Sequence, residues 1–291
     1  MFELVVWHDE YEGLDGYMHA LSQYSASRRA TTLGRLSGGL PLCARRAVVH
    51  WSHPFPFDGG DPSRQLPSDH LKRVAYRLLR GFGLPDVCTN QLTLPNVSKL
   101  CSLHAAAVCH GGTLQFGVGV RTGADVVSLV VRSTSTRRMV NADEVVAAAV
   151  ALAARLSFVV LVVDFAALPL AGQLAVARHT TALVGVHGAG LTHALVQPAW
   201  GSLLEVFPAG LERFNYAHLM AALGRSGLYL PLHEEEGWGR GGSLGGPAPP
   251  LSTAKARNVT VPVPRFLHCL ETLLARSRLA RAGAPCPADS V

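Results

Sequence analysis

Residues Ala182–Pro208, ALVGVHGAGLTHALVQPAWGSLLEVFP, decide how this chain reads. The apolar run Ala182 to Val186 has the length of a buried strand and delivers the chain to His187-Gly188-Ala189-Gly190. Two glycines in such a turn let the backbone approach a ligand closely. An apolar helical segment begins at Leu191, and Ser202 to Phe207 reads as the next strand. In an open α/β sheet, ligands sit outside the carboxyl ends of the strands. The start of a helix there offers backbone N–H groups to an anion. Glu205, near the end of the second strand, is placed to overhang the same edge and accept hydrogen bonds from a ribose diol. Taken as a bare pattern, the segment reads first as an ordinary glycine turn with a buried histidine.

The flanking sequence extends the alternation. Asp125 to Arg132 (DVVSLVVR) and Phe158 to Val163 (FVVLVV) read as buried strands, and Leu228 to Leu232 as another. Between them, Asn141-Ala142-Asp143-Glu144 has the form of a helix start, with Asn141 as N-cap and Glu144 at the capping-box position, and the helix runs to about Leu156. Leu174 to Thr180 and Phe214 to Leu223 also read as helices. Short apolar strands alternating with helices predict a parallel, doubly wound α/β sheet. Pro264 to Ala280 predicts a closing amphipathic helix. Before residue 120 the pattern is irregular: a short helix at Tyr17–Tyr24, a strand at Arg46–Trp51, a proline-rich loop from Trp51 to Ser68 and an amphipathic helix at His70–Phe82.

The chain has 291 residues, enough for roughly two domains of about 150 residues. Hydrophobic residues make up 48% and charged residues 16%, which excludes disorder for most of the chain. The division expected is 1–120, an irregular and incomplete lobe; 121–236, a regular α/β lobe; 237–260, a Gly/Pro-rich flexible excursion; and 261–291, a helix and tail. The net charge is +6, carried almost wholly by arginine, since lysine occurs only at Lys72, Lys99 and Lys255. The arginines are scattered without a basic run, so a small phosphorylated ligand accounts for them better than nucleic acid does. Cys101, His104, Cys109 and His110 have no zinc-finger spacing. Asn96-Val97-Ser98 and Asn258-Val259-Thr260 are glycosylation sequons, which favour a lumenal setting. The apolar stretch Val145 to Val163 is interrupted by Arg155 and reads as two elements of a soluble fold.

The run GVHGAGLTHALVQPAWGSLLEVFP resembles the signature of glycosyltransferase family 61. Val130-Val131-Arg132, followed by Arg138-Met139-Val140-Asn141-Ala142-Asp143-Glu144-Val145, is similar to the family's strand-end arginine, second arginine and capped helix; Gln173 falls where the family has a glutamine. Among subgroups, plant-type β-1,2-xylosyltransferases are the nearest in pattern, through Asp9-Glu10-Tyr11 with His19, Leu42-Cys43 with Arg45-Arg46-Ala47, and Phe82-Gly83-Leu84-Pro85. His193 stands where many members carry asparagine. The resemblance spans residues 125–232 well, and 7–50 and 70–85 more loosely.

That resemblance implies a GT-B-like α/β architecture of two Rossmann-like lobes, the amino-terminal one shortened. It implies inverting transfer from a UDP-sugar, UDP-xylose or UDP-GlcNAc, to a glycan or glycoprotein acceptor. No cofactor is expected, and with no D-x-D triplet in the chain, no metal. The setting implied is the Golgi or endoplasmic reticulum lumen, with a type II membrane anchor only if one is encoded upstream. The donor residues implied are Arg132 and Arg138 on the diphosphate, with Arg137 a weaker choice, then His187, Gly188, Ala189, Gly190 and Thr192 in the turn, and Glu205. Inversion needs a general base from the other lobe; His19 is the first candidate, with Asp9 and Glu10 as substitutes and Glu12 and Asp15 behind them. The family's acidic residue four positions after the histidine is here Gln23, which motivates an alternative: a member that binds nucleotide or glycan without turnover. An esterase is a distant third. His187-Gly188-Ala189-Gly190 resembles an oxyanion turn and Gly241-Gly242-Ser243-Leu244-Gly245 matches G-x-S-x-G, but Ser243 lacks the strand and helix that an elbow requires.

Overall fold

The computed structural model describes residues 5–7, 30–32, 75, 78–82, 107–110, 125–132, 136–211, 213–234 and 256–283. Strands β1 (Val5–Trp7) and β2 (Ala30–Thr32) pair in parallel, Val5 opposite Ala30. The main sheet holds β3 (Ala107–His110), β4 (Asp125–Val130), β5 (Phe158–Val163), β6 (Ala182–Val186), β7 (Ser202–Phe207) and β8 (Tyr229–His233). Its order is β3-β5-β4-β6-β7-β8, with β4 to β8 parallel and β3 antiparallel against β5. The connecting helices are α1 (Ala142–Leu156), α2 (Leu170–His179) and α3 (Asn215–Ala222); α4 (Val263–Gly283) closes the domain.

Strands β4 to β7 are buried on both faces, which is why they read as continuous apolar runs. One layer packs Val145, Ala149 and Leu152 of α1 and Phe266, Leu270 and Leu273 of α4 against Val127, Leu129, Val184 and Leu204. The other packs Val176 of α2, the segment Ala189–Val196 and Tyr216, Leu219 and Met220 of α3 against Val126, Val130, Leu183 and Leu203. Helices therefore cover both faces, and the direction of winding reverses between β4 and β6, since β5 lies on one side of β4 and β6, β7 and β8 on the other. Crevices for ligands open at such a reversal.

Three sequence-based expectations change. The sheet takes a strand, β3, from before residue 121. Residues 256–260, which composition assigns to the flexible excursion, form instead a packed strap: Val259 is fully buried and bridges Met139 in parallel. The capping box does not form. Asn141 precedes α1 but caps no backbone N–H. Its Nδ2 donates to Glu144 Oε2 at 3.0 Å and to the Val261 carbonyl at 2.9 Å, while its Oδ1 accepts the Val261 N–H at 2.8 Å. A partner 120 residues away wins the amide that local pattern assigns to the helix. The readings of Tyr17–Tyr24, Arg46–Trp51 and the Trp51–Ser68 loop lie outside the described residues; of His70–Phe82, Ala75 and residues 78–81 are helical. Val145–Val163 divides into α1 and β5, and among the described residues no helix is long and apolar enough to cross a membrane.

Candidate functional site: a pair of arginines at the sheet reversal

The carboxyl ends of β4 and β6 flank the crevice. Beyond β4 the chain is held by the Val131 N–H on the Val163 carbonyl at 2.9 Å, which sets Arg132 at the edge. Beyond β6, the His187 N–H donates to Val206 O at 2.9 Å, which carries the sheet pattern one residue further and presents Gly188 to the crevice. Gly188 has φ 164°, extended backbone open to any residue. It is glycine because of space: a Cβ there would collide with the Arg132 guanidinium and lie 3.3 Å from Arg137 Nη1. The two guanidiniums thus converge on the backbone of the glycine turn.

Both cations sit there at a cost. Arg132 is half-buried, and desolvation, followed by the charge of Arg137, lowers its pKa, with Tyr216 and Asp164 partly compensating. Arg137 has φ 58°, a left-handed backbone for a residue with a side chain, worth of order 1 kcal/mol of strain. Arg138, the expected second diphosphate ligand, is exposed and engages through its backbone: its N–H donates to Asn258 Oδ1 at 3.0 Å and its carbonyl accepts the Val259 N–H at 2.8 Å. Arg137, not Arg138, stands beside Arg132.

The turn is fixed from below. Tyr216 donates its hydroxyl to the Gly188 carbonyl at 2.6 Å, bonds Thr192, and is pushed up to about 12 by burial. The helical segment expected from Leu191 is a 3-10 helix spanning Ala189–Val196, with Ala189 exposed and Gly190 and Thr192 half-buried. The fully buried Arg225 clamps its far end, donating to the carbonyls of Ala194 at 2.6 Å, Pro198 at 3.1 Å and Gly201 at 3.2 Å. Burial lowers the Arg225 pKa to about 9. Phe165 packs against Gly190 and, at 4.7 Å between centroids, against His193. Gln173 holds the Phe165 turn by donating to the carbonyls of Phe165 and Leu168, both at 2.8 Å. His193 lies 2.9 Å from the Gly190 carbonyl through Nδ1, and burial lowers its pKa.

Glu205 does not overhang the edge. It has no exposed surface, its Oε1 lies 2.5 Å from His187 Nδ1 and its Oε2 accepts the Tyr229 hydroxyl at 2.7 Å. Burial raises the Glu205 pKa, and the bonds from His187 and Tyr229 hold part of that rise back. His187 is itself buried, stacked on Phe207 at 5.5 Å and set edge-on to Tyr216 at 5.6 Å. Strand alternation gives Glu205 a face but not a depth, so the sequence left its burial undetermined. Tyr216 and Tyr229 carried no signal beyond their place in a helix and a strand. The expected base residues His19, Asp9 and Glu10 lie outside the described residues. Among the described residues no group of three or more His, Cys, Asp or Glu is placed to hold a metal.

The profile of the family described as Glycosyltransferase 61 matches residues 44–204, more than half of the chain. The chain belongs to glycosyltransferase family 61. The matched span runs through β4, α1, β5, α2 and β6 to Leu204 in β7, so it includes both converging arginines and the glycine turn. Individual relatives match over shorter stretches. An EGF domain-specific O-linked N-acetylglucosamine transferase of Drosophila melanogaster is 38% identical over 81 residues, 28% of this chain and 15% of that protein. Proteins of the same name from Bos taurus and Mus musculus are 35% and 36% identical over 97 residues, 33% of this chain and 18% of each relative. The match thus spans less than a fifth of those relatives.

Proposed function

We propose that this chain carries the nucleotide-sugar site of an inverting glycosyltransferase, with Arg132 and Arg137 on the donor diphosphate. One observation carries the reading: two guanidiniums, one desolvated and one on a strained backbone, meet over Gly188 at the point where the sheet reverses. Transfer of a sugar releases a nucleoside diphosphate, so the reaction develops negative charge on phosphate oxygens. Paired guanidiniums and the first N–H groups of the Ala189–Val196 segment are preorganised for that charge. Such a clamp would need no metal. An attacking acceptor hydroxyl would give up its proton to a base from the amino-terminal lobe, with His19 first and Asp9 or Glu10 as substitutes. The parallel pairing of β1 and β2 supports a second α/β lobe there, since parallel strands require a crossover connection.

The names of the relatives favour UDP-GlcNAc as donor and a protein hydroxyl as acceptor, ahead of UDP-xylose and an N-glycan. A Golgi or endoplasmic reticulum lumen is the proposed setting, in keeping with the sequon at exposed Asn258. The test is titration of the folded protein with UDP. Saturation at about 100 times Kd should stabilise it by about 2.7 kcal/mol, and Arg132→Ala with Arg137→Ala should abolish the shift while Arg138→Ala preserves it. No shift in the wild-type protein at millimolar UDP overturns the donor site. Gln23 favours one second reading, binding without turnover; UDP release in the presence of acceptor excludes it.

A further inference from the structure

Glu205 is the side chain whose burial the proposed donor chemistry leaves unexplained. It lies in β7 between Leu204 and Val206, opposite Gly185 of β6, and is wholly removed from water. A carboxylate in such a place costs several kcal/mol, and an apolar residue of similar size would make the sheet more stable. What the glutamate does instead is bind outward in two directions. Oε2 takes the Tyr229 hydroxyl from the neighbouring strand at 2.7 Å, which fixes the carboxylate plane. Oε1 meets His187 Nδ1 at 2.5 Å. Phe207 on one face of the imidazole and Tyr216 at its edge leave the ring little freedom. The Tyr216 hydroxyl is spent on the Gly188 carbonyl, so the ring and the turn beside it are set by the same residue.

A histidine with one nitrogen bound by a carboxylate has its tautomer and orientation decided, as metal-site and triad histidines do. Here the engaged nitrogen is Nδ1, so Nε2 is the ring nitrogen that the Glu205 contact leaves unused, on a side chain that keeps 10% of its surface in solvent. His187 adjoins Gly188, against which the Arg132 guanidinium packs.

We infer that Glu205, braced by Tyr229, is a positioning residue that fixes His187 as the Nδ1–H tautomer, so that Nε2 offers an acceptor lone pair beside the arginine pair to a hydroxyl or N–H of the donor nucleoside. Glu205 itself touches no ligand. This rests on the proposed donor site, and it replaces the direct ribose contact expected of Glu205 from sequence.

The test pairs a spectroscopic readout with affinity. In histidine-labelled wild-type protein, a long-range proton–nitrogen spectrum should show His187 protonated at Nδ1 and not at Nε2. Glu205→Gln keeps the shape of the carboxyl but can donate to Nδ1, so His187 should move towards the Nε2–H form. UDP affinity should then fall about tenfold, the order expected when one hydrogen bond to a ligand is lost. Glu205→Asp, which retains the carboxylate, should restore the Nδ1–H signal and part of the affinity. A purely structural role would lower thermal stability without changing the tautomer. If Glu205→Gln does not fold, Tyr229→Phe removes only the brace and should weaken UDP binding by a smaller factor with a detectable share of Nε2–H. An Nε2–H signal in the wild type, or unchanged UDP affinity in a folded Glu205→Gln with a shifted tautomer, overturns the inference. An Nδ1–H wild type that binds no UDP would instead overturn the donor site and leave the tautomer assignment standing.

Discussion

Replacing Gly188 by alanine would place a methyl group where the Arg132 guanidinium lies, at a backbone angle that alanine adopts freely. The strain therefore falls on a movable side chain, not on the fold. Gly188→Ala should lower UDP affinity about tenfold or more, since charge-assisted hydrogen bonds are the ones displaced, and should leave the melting temperature nearly unchanged. Calorimetric titration beside a thermal melt checks both halves. A second residue-scale expectation concerns His179, whose pKa burial, with help from Arg178, lowers from 6.5 to about 4. The unfolded chain then binds the proton more readily between those values. Stability should be complete above about pH 6.5 and decline as pH falls towards 4, by about 3 kcal/mol at most from this residue. Denaturant melts of the wild type and His179→Gln across that range should diverge with that sign. Legibility at this scale is mixed. The positions of Gly188 and Arg132 were readable because a buried apolar run ends shortly before each. Choosing between Arg137 and Arg138 required the left-handed turn at Arg137, which no residue pattern announces.

Among the elements, α4 is fastened at the amino-terminal end of the sheet, away from the site. Buried Asp125 in β4 meets Arg278 Nε at 2.7 Å and Arg281 Nη1 at 3.1 Å, and Arg278 also donates to the Leu156 carbonyl at 2.7 Å. Asp125→Ala strands two guanidiniums that keep about a third of their surface in water. Roughly 2 kcal/mol of stability should be lost, less than for a fully buried pair, in a denaturant melt with unaltered UDP affinity per folded molecule. At the opposite end, Asn141→Ala would remove the two hydrogen bonds to Val261 that help hold the strap to the turn carrying Arg137 and Arg138, leaving those of Arg138 to Asn258 and Val259 in place. Because Asn141 pairs with Val261 and does not cap α1, helix content should hold by circular dichroism while UDP affinity weakens. β5, β6 and β7 fall where their apolar runs predict, because a strand buried on both faces leaves an unbroken signature. β1, β2 and β3 are three or four residues long, too short for any period to register. Leu191–Val196 reads as helical from its sequence, but the Arg225 guanidinium that takes the Ala194 carbonyl comes from outside the segment and leaves no mark in it.

Across the whole molecule, protection should be graded from the middle of the sheet outward. β4, β6 and β7 are enclosed by helices and by strands on both sides, whereas β8 forms one edge with Tyr229, Leu230 and Pro231 only partly covered. Native-state hydrogen exchange should therefore release β8 amides first and those of β4 and β6 last, near the global unfolding free energy. Equal protection across the sheet would contradict this ordering. The parallel, doubly wound character of the sheet was legible in the alternation of runs and helices, whereas its strand order was not. The strap was not, because its pairing with residues 138–141 joins positions whose local sequences say nothing of each other.

The fastening of α4 also has a consequence during synthesis. Asp125 finds its arginine 153 residues downstream, and Asn141 its backbone partner 120 residues downstream. A ribosome delivers these partners 153 and 120 residues after the groups they meet, at about 5–20 residues per second. For several seconds the nascent chain holds a buried acid without its counterions and an arginine turn without its strap. The domain can collapse early, but the turn that carries Arg137 gains its strap only once residues 256–261 have been made.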